Sequence, residues 1–365
     1  MVPELFRISH FPLFVSKLEE GDIIDWINIK SQPAVDNPLL KNHKIQLQPT
    51  SFPAGTKESS NLVTDPTYQT WCKQEACPFG TVPIHRTTKE DLVMAKTLSH
   101  HIFNNISSTN DFAPNNHKVF VRLNETRGIR SSGLYGMTSV YKPSVAPDQS
   151  TAGTIWVGRG LGDQTNLLMA GWMISHSING DDLPRLFVYW TVDGGHIGCF
   201  NLLCHGFVQV DRKFAPKRTR FEPLSTVGGK TYEVKFAIHQ DPVTANWWLT
   251  MTDWNITVGY WPKEILPHLR AGAGEVGWGG LTMATGKDSP PMGSGQYPDG
   301  TTNHAAYFRN LHYLRAWNKP LVPSDKYPVF EFIESTGCYG LQNDKGTRQG
   351  YWGYSFLYGG PGGSC

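Results

Sequence analysis

Thr231-Tyr232-Glu233-Val234-Lys235-Phe236-Ala237-Ile238 alternates apolar and mostly polar residues, the period of a half-buried strand with one face on a core and one on solvent. Shorter strand patterns surround it at residues 118–121, 153–157, 186–192, 206–210 and 306–308. Asn179-Gly180, Asp193-Gly194, Gly228-Gly229 and Asp299-Gly300 stand between them as turn signals. Many short strands with frequent turns predict an all-β chain, an antiparallel sandwich or barrel. Within this region only residues 261–266 read as a helix, with Pro262 at an early position.

Composition agrees with that class. The 365 residues include 37 glycines and 25 prolines, which favours turns over long helices. Hydrophobic residues make up 39% and charged residues 18%, enough apolar chain for a sizeable core. The net charge is +2 with acids and bases interspersed, so nothing points to nucleic acid or to an anionic membrane surface. No run of about 18 apolar residues predicts a membrane span. Residues 11–15 form an apolar run shorter than the roughly 7–15 residues of a secretory signal core, so no convincing signal peptide is read here.

Four of the six cysteines fall in two C-x4-C pairs, Cys72/Cys77 and Cys199/Cys204. Paired spacing is compatible with zinc, but thiolate-rich zinc sites belong mostly to cytosolic proteins. Disulfides fit better with three N-x-S/T sequons, at Asn105, Asn124 and Asn255, and together they favour an extracytoplasmic, glycosylated protein without a bound metal. Other chemistry is poorly served. Gly293-Ser294-Gly295 lacks the spacing of a nucleophile loop, and His100-His101 point to different sides of any helix. No cofactor motif is present.

The chain divides by pattern. Thr87-Thr88-Lys89-Glu90 reads as a capping box opening a helix at about residues 89–98, with Leu92, Ala95 and Leu98 on one face. Residues 104–116, rich in Asn, Ser and Thr, read as a linker. Two units follow, a small N-terminal one at residues 18–103 and a strand-rich one at residues 117–365.

Several longer motifs carry a resemblance. They are Gln32-Pro33-Ala34-Val35-Asp36-Asn37-Pro38, Cys77-Pro78-Phe79-Gly80-Thr81-Val82-Pro83-Ile84-His85-Arg86, Met169-Ala170-Gly171-Trp172, Tyr189-Trp190-Thr191, Gly198-Cys199-Phe200-Asn201-Leu202-Leu203-Cys204, Asn246-Trp247-Trp248-Leu249, Gly259-Tyr260-Trp261-Pro262-Lys263-Glu264 and Trp278-Gly279-Gly280-Leu281. Over nearly its whole length the chain resembles the plant neprosin family, glutamic prolyl endopeptidases made with an N-terminal activation peptide. The resemblance implies a two-sheet β-sandwich with a concave cleft, and an N-terminal unit that blocks the cleft until acid self-cleavage in the linker. It implies Cys199–Cys204 and Cys338–Cys365 bridges. It places a further cysteine where this chain has Trp26, which leaves Cys72 as the candidate partner of Cys77. It also implies a secreted, cell-wall or vacuolar location.

The same resemblance puts the family's two catalytic glutamates at Met169 and Leu281. A carboxyl pair splits its pKa values and shares one proton, which is what water activation and carbonyl polarisation require. A thioether and an isobutyl group transfer no proton. Glu275, Asp163, Asp193 and Asp253 occupy neither position. The expectation is therefore a catalytically silent homologue that binds proline-rich peptide or cell-wall glycan in an aromatic cleft. Its candidate lining is Trp172, Trp190, Trp278, Gly279, Gly280, Ser294, Gln296 and Tyr297. The alternative is an acid-pH prolyl endopeptidase with a replacement acid.

Overall fold

The structure is a computed structural model that describes residues 12–17, 23–55, 77–89, 91–93, 116–124, 130–195, 197–325, 327–348 and 350–365. Its main body is a sandwich of two antiparallel sheets. The smaller sheet has seven strands in the order β17 (Phe330–Ile333), β4 (His117–Asn124), β14 (Glu275–Ala284), β6 (Gln149–Arg159), β7 (Asn166–Ser175), β8 (Arg185–Val192) and β9 (Ile197–Phe200). The larger runs β10 (Val208–Gln209), β13 (Ile256–Trp261), β12 (Trp247–Met251), β11 (Glu233–Gln240), β5 (Gly133–Ser139), β15 (Ala306–Arg315), β19 (Phe356–Gly359) and β18 (Gly340–Asn343), with β16 (Lys319–Leu321) on the side of β15. A third sheet of β1 (Phe14–Lys17), β2 (Ile23–Asn28) and β3 (Thr81–His85) belongs to the N-terminal unit, which thus begins before residue 18.

Tryptophans set the distance between the two main sheets. Trp172 on β7 and Trp278 on β14 are fully buried, and each indole N–H crosses to the other sheet: Trp172 Nε1 donates to Ser139 O and Trp278 Nε1 to Tyr135 O, both at 3.1 Å. Glycines on neighbouring strands leave the room. A Cβ on Gly153 would fall 2.6 Å from Trp172 Nε1 and 2.8 Å from the Tyr358 hydroxyl. A Cβ on Gly136 would sit 3.0 Å from Trp278. So part of the glycine content serves ring packing rather than turns. Gly153→Ala is expected to destabilise the protein by about 2 kcal/mol through overpacking, read as a lower urea midpoint at unchanged slope. An unchanged midpoint would show that the ring is free to move.

One local expectation is corrected. Residues 261–266 are not a helix: β13 runs to Trp261, Pro262 turns the chain, and only Lys263–Ile265 forms a single 3-10 turn. Of the expected capping pair, Glu90 lies outside the described residues, and the capping bonds seen join the next pair along. Thr88 N donates to the Asp91 carboxylate at 2.9 Å, and Asp91 N donates to Thr88 Oγ1 at 3.1 Å. Residues 89 and 91–93 are helical, and the rest of the expected helix lies outside the described residues.

The opening stretch is also more deeply buried than its pattern predicts. Lys235 and Ala237, on the face expected to meet solvent, are 5% and 0% exposed, and His239, next along the same face, is 0% exposed. The N-terminal unit covers them. Lys235 Nζ donates to Gly55 O at 3.3 Å, and the Phe52 ring centroid lies 6.3 Å from that of His239. Further ties hold this unit to the larger sheet and its connections. Gln32 exchanges bonds with the Gln209 backbone, His43 meets the Tyr260 hydroxyl at 2.8 Å, Thr50 donates to Asp241, and Asp91 pairs with Lys217 at 2.9 Å. None of these partners belongs to a strand of the seven-stranded sheet.

Cys199–Cys204 and Cys338–Cys365 are bridged. Cys77 is a buried free thiol, contrary to the third expected bridge, and Cys72 lies outside the described residues. Burial raises the Cys77 thiol, so it stays protonated and inert.

Candidate functional site

Strand period decides the site. Residues an odd number apart on a strand face opposite sides. Met169 and Trp172 are three apart on β7, and Leu281 and Trp278 three apart on β14, so when both indoles enter the core, Met169 and Leu281 must face away from it. The registers agree: Met169 lies opposite Trp156, Trp156 opposite Gly277, and Leu281 opposite Lys118.

On that outer face lies a cavity of about 30 Å³. Lys118, Phe120 and Arg122 of β4 line one side, Thr154 and Trp156 of β6 and Met169 of β7 the other, and Gly279, Gly280 and Leu281 of β14 the floor between. Met169 and Leu281 are each 3% exposed. The rim is aromatic. Phe120 stacks on Phe332 at 4.9 Å and meets Trp156 edge-on at 6.0 Å. It is also basic: Lys118 Nζ lies 5.9 Å from the Phe332 centroid, and the Arg122 guanidinium 5.9 Å from that of Phe120.

Charge at the site is set by burial. Burial pushes the Lys118 amine down to about 8, opposed by the attraction of Glu334. Burial raises the Glu334 carboxyl, with Lys118 pulling the other way. Glu275 is raised by burial against the pull of Arg122, which it meets at 3.4 Å. Glu275 shares the outer face, but six residues of strand put it roughly 20 Å from Leu281. The Trp156 ring packs over Gly277 between them, where an added Cβ would fall 2.5 Å from the indole. No carboxyl lines the cavity among the described residues.

Of the expected lining, Gly279 and Gly280 join Met169 and Leu281 at the cavity. Trp172, Trp190 and Trp278 do not: they are 0%, 4% and 0% exposed on the core side. Trp190 fills the space left by Gly206. Ser294, Gln296 and Tyr297 sit in the loop between β14 and β15, away from the cavity lining. There Ser294 Oγ accepts from Gln296 N, and the Tyr297 hydroxyl donates to Gly337 O at 2.6 Å. Sequence reading missed Lys118, Phe120, Arg122, Thr154 and Trp156. Their signal was available in the alternation Lys118-x-Phe120-x-Arg122, which places a cation, a ring and a cation on one face. No group of His, Cys, Asp and Glu among the described residues could hold a metal ion.

Two solved structures are similar in part. Both are of scytalido-glutamic peptidase: one with a transition state analog inhibitor (8% identity, 68% of this chain and 98% of that one, TM-score 0.36), the other with a peptide-based transition state analog (10%, 67% and 97%, 0.32). The family model for neprosin activation peptide matches residues 16–125. The model for neprosin itself matches residues 147–361, more than half of the 365 residues, and the chain belongs to the neprosin family.

Proposed function

We propose that this protein binds proline-rich peptide over the outer face of its seven-stranded sheet and does not hydrolyse it. One observation carries the reading: Met169 and Leu281, where the family resemblance places two catalytic carboxyls, line a single cavity that holds no acid among the described residues. Hydrolysis by a carboxyl pair needs one group to take a proton from water and another to polarise the carbonyl, each acting at sub-ångström placement. Glu275 is too far along the strand to supply either and is engaged by Arg122. What remains is a rim of Phe120, Trp156 and Phe332, suited to the flat apolar face of a proline ring. The two disulfides, and Asn255 exposed at a turn with a sequon, support an extracytoplasmic, glycosylated protein.

Calorimetric titration with a blocked proline-rich decapeptide tests this. Binding is expected, with the peptide recovered intact by mass spectrometry. Phe332→Ala, at the exposed edge of the rim, is expected to weaken it about tenfold while the thermal midpoint holds. Shortened peptide in the mixture, or a neutral oligosaccharide binding where the peptide does not, would replace the reading.

A further inference from the structure

The cavity holds one side chain that the proposed function leaves unused. Lys118 is 7% exposed, and its ammonium takes no hydrogen bond and no ion pair from any described residue. Its surroundings are the Phe332 ring and, too far for contact, the carboxylate of Glu334. With no acceptor from the described residues, that ammonium is left to bind what enters the cavity, an anion above all. Arg122 adds a second positive charge to the same lining, and Leu281 stands directly across the register from Lys118. Where the family resemblance places acids, this floor is apolar beneath two cations.

We propose that this cavity is a carboxylate-binding subsite, in which the Lys118 ammonium receives an acidic side chain or the C-terminal carboxylate of the bound peptide. The inference rests on the peptide-binding reading and sharpens it to an acidic, proline-containing peptide. Size favours a single small group. A cavity of about 30 Å³ takes about one water molecule or one carboxylate head, not a length of chain. The rest of the ligand then lies over Phe120, Trp156 and Phe332. A charge-assisted hydrogen bond in a site this sheltered is stronger than one between neutral groups. Thr154 stands nearby, with its hydroxyl donating to Gly279 O at 3.3 Å.

The charge on Lys118 depends on pH, and the groups acting on it are few. Glu334, in the segment after β17, favours the ammonium, and Arg122, on its own strand, opposes it. The neighbouring strands present uncharged Leu281 of β14 and Phe332 of β17. Preference for a carboxylate is therefore expected to be greatest between pH of about 5 and about 7, where the ligand's carboxyl and the amine are both charged, and to fade as pH rises through about 8.

Five probes separate the possibilities: Ac-Pro-Glu-Pro-NH2, Ac-Pro-Gln-Pro-NH2, Ac-Pro-Gln-Pro-OH, acetate and trigalacturonate. Binding is followed by calorimetry and by nitrogen NMR of Lys118 Nζ in the full chain. Either carboxylate peptide is expected to bind at least about tenfold tighter than the blocked glutamine peptide. Whichever does so identifies the source of the carboxylate, and its binding should move the Lys118 titration upward. Lys118→Met is expected to abolish the preference, Lys118→Arg to keep it, and Glu334→Gln not to weaken it. Equal binding of all three peptides would overturn the subsite and leave peptide binding standing. If no peptide binds but acetate still moves the Lys118 titration, the subsite stands and the peptide reading falls. Trigalacturonate binding tighter than every peptide would overturn the assignment of a peptide as the ligand.

Discussion

Acidification is expected to loosen the N-terminal unit from the sandwich and to lower stability between pH of about 6.5 and about 4. The central group is His239, fully buried on β11 beneath Phe52. Burial pushes its imidazole from 6.5 down to about 4, and Asp241 only partly opposes this. The folded value lies below the unfolded one, so folding favours the neutral ring. That contribution is fully present above the unfolded value of 6.5 and is lost as pH falls through the folded value of about 4. It amounts to roughly 3 kcal/mol.

His43 acts in the same sense. It lies in the interface between the Tyr260 hydroxyl and Glu264, and burial lowers it against the pull of Glu264. Asp241 adds a later loss. Burial raises its carboxyl, but bonds from Thr50, Val243 and Thr244 outweigh this and hold it low. A depressed carboxyl contributes stability above its unfolded value and loses it as pH falls through the folded one. Hydrogen-exchange protection across residues 32–55, corrected for the intrinsic rate at each pH, should therefore fall with acid before protection in β7 or β14. His239→Leu should shrink the response by the share of His239 and leave that of His43 and Asp241. Stability that stays level across this range, or falls equally in the variant, would remove His239 from the account. The loosened chain is still expected to run as one band on a gel, since undocking supplies no catalytic acid.

The sandwich was legible because its strands carry their own punctuation. Asn179-Gly180 ends a one-turn helix with Gly180 at φ 83°, and Gly228 turns at φ 71°. The face assignment of the tryptophans was harder. Asn166–Ser175 is buried at every position, so hydrophobicity alone does not say which side of β7 meets the core. Counting does: Met169 and Trp172 cannot share a face of one regular strand, nor can Trp278 and Leu281. The tryptophans expected to line a cleft face the core, and the rings at the outer-face cavity are those of Phe120 and Trp156 on neighbouring strands.

Burial across the larger sheet was not legible in the same way. The alternation through Lys235 and His239 is that of a strand facing water, and only the N-terminal unit, far away in sequence, converts that face into an interface. The lysine reaches Gly55 O, and the histidine is left neutral under a phenylalanine. Lys118 is a similar case. As one polar residue in a strand pattern it reads as solvated, until its register beside Leu281 places it in the cavity.

The second large effect concerns chemistry. A pair of carboxyls sharing one proton works in acid, roughly between pH 2 and 6, and each group contributes about 10²–10⁴-fold. With Met169 and Leu281 in place, that whole contribution is expected to be missing. Met169→Glu with Leu281→Glu would put two carboxyls into the same cavity, one of them directly opposite Lys118. Either substitution alone is expected to gain nothing, because such groups act as a unit. The most direct test is made on the unaltered protein: incubation with proline-containing peptides across that acidic range, with fragments counted by mass spectrometry. The account predicts no cleavage above the protein-free control. Cleavage by the wild-type chain, lost on Glu275→Gln, would contradict it and show that the acid beside Arg122 carries the reaction.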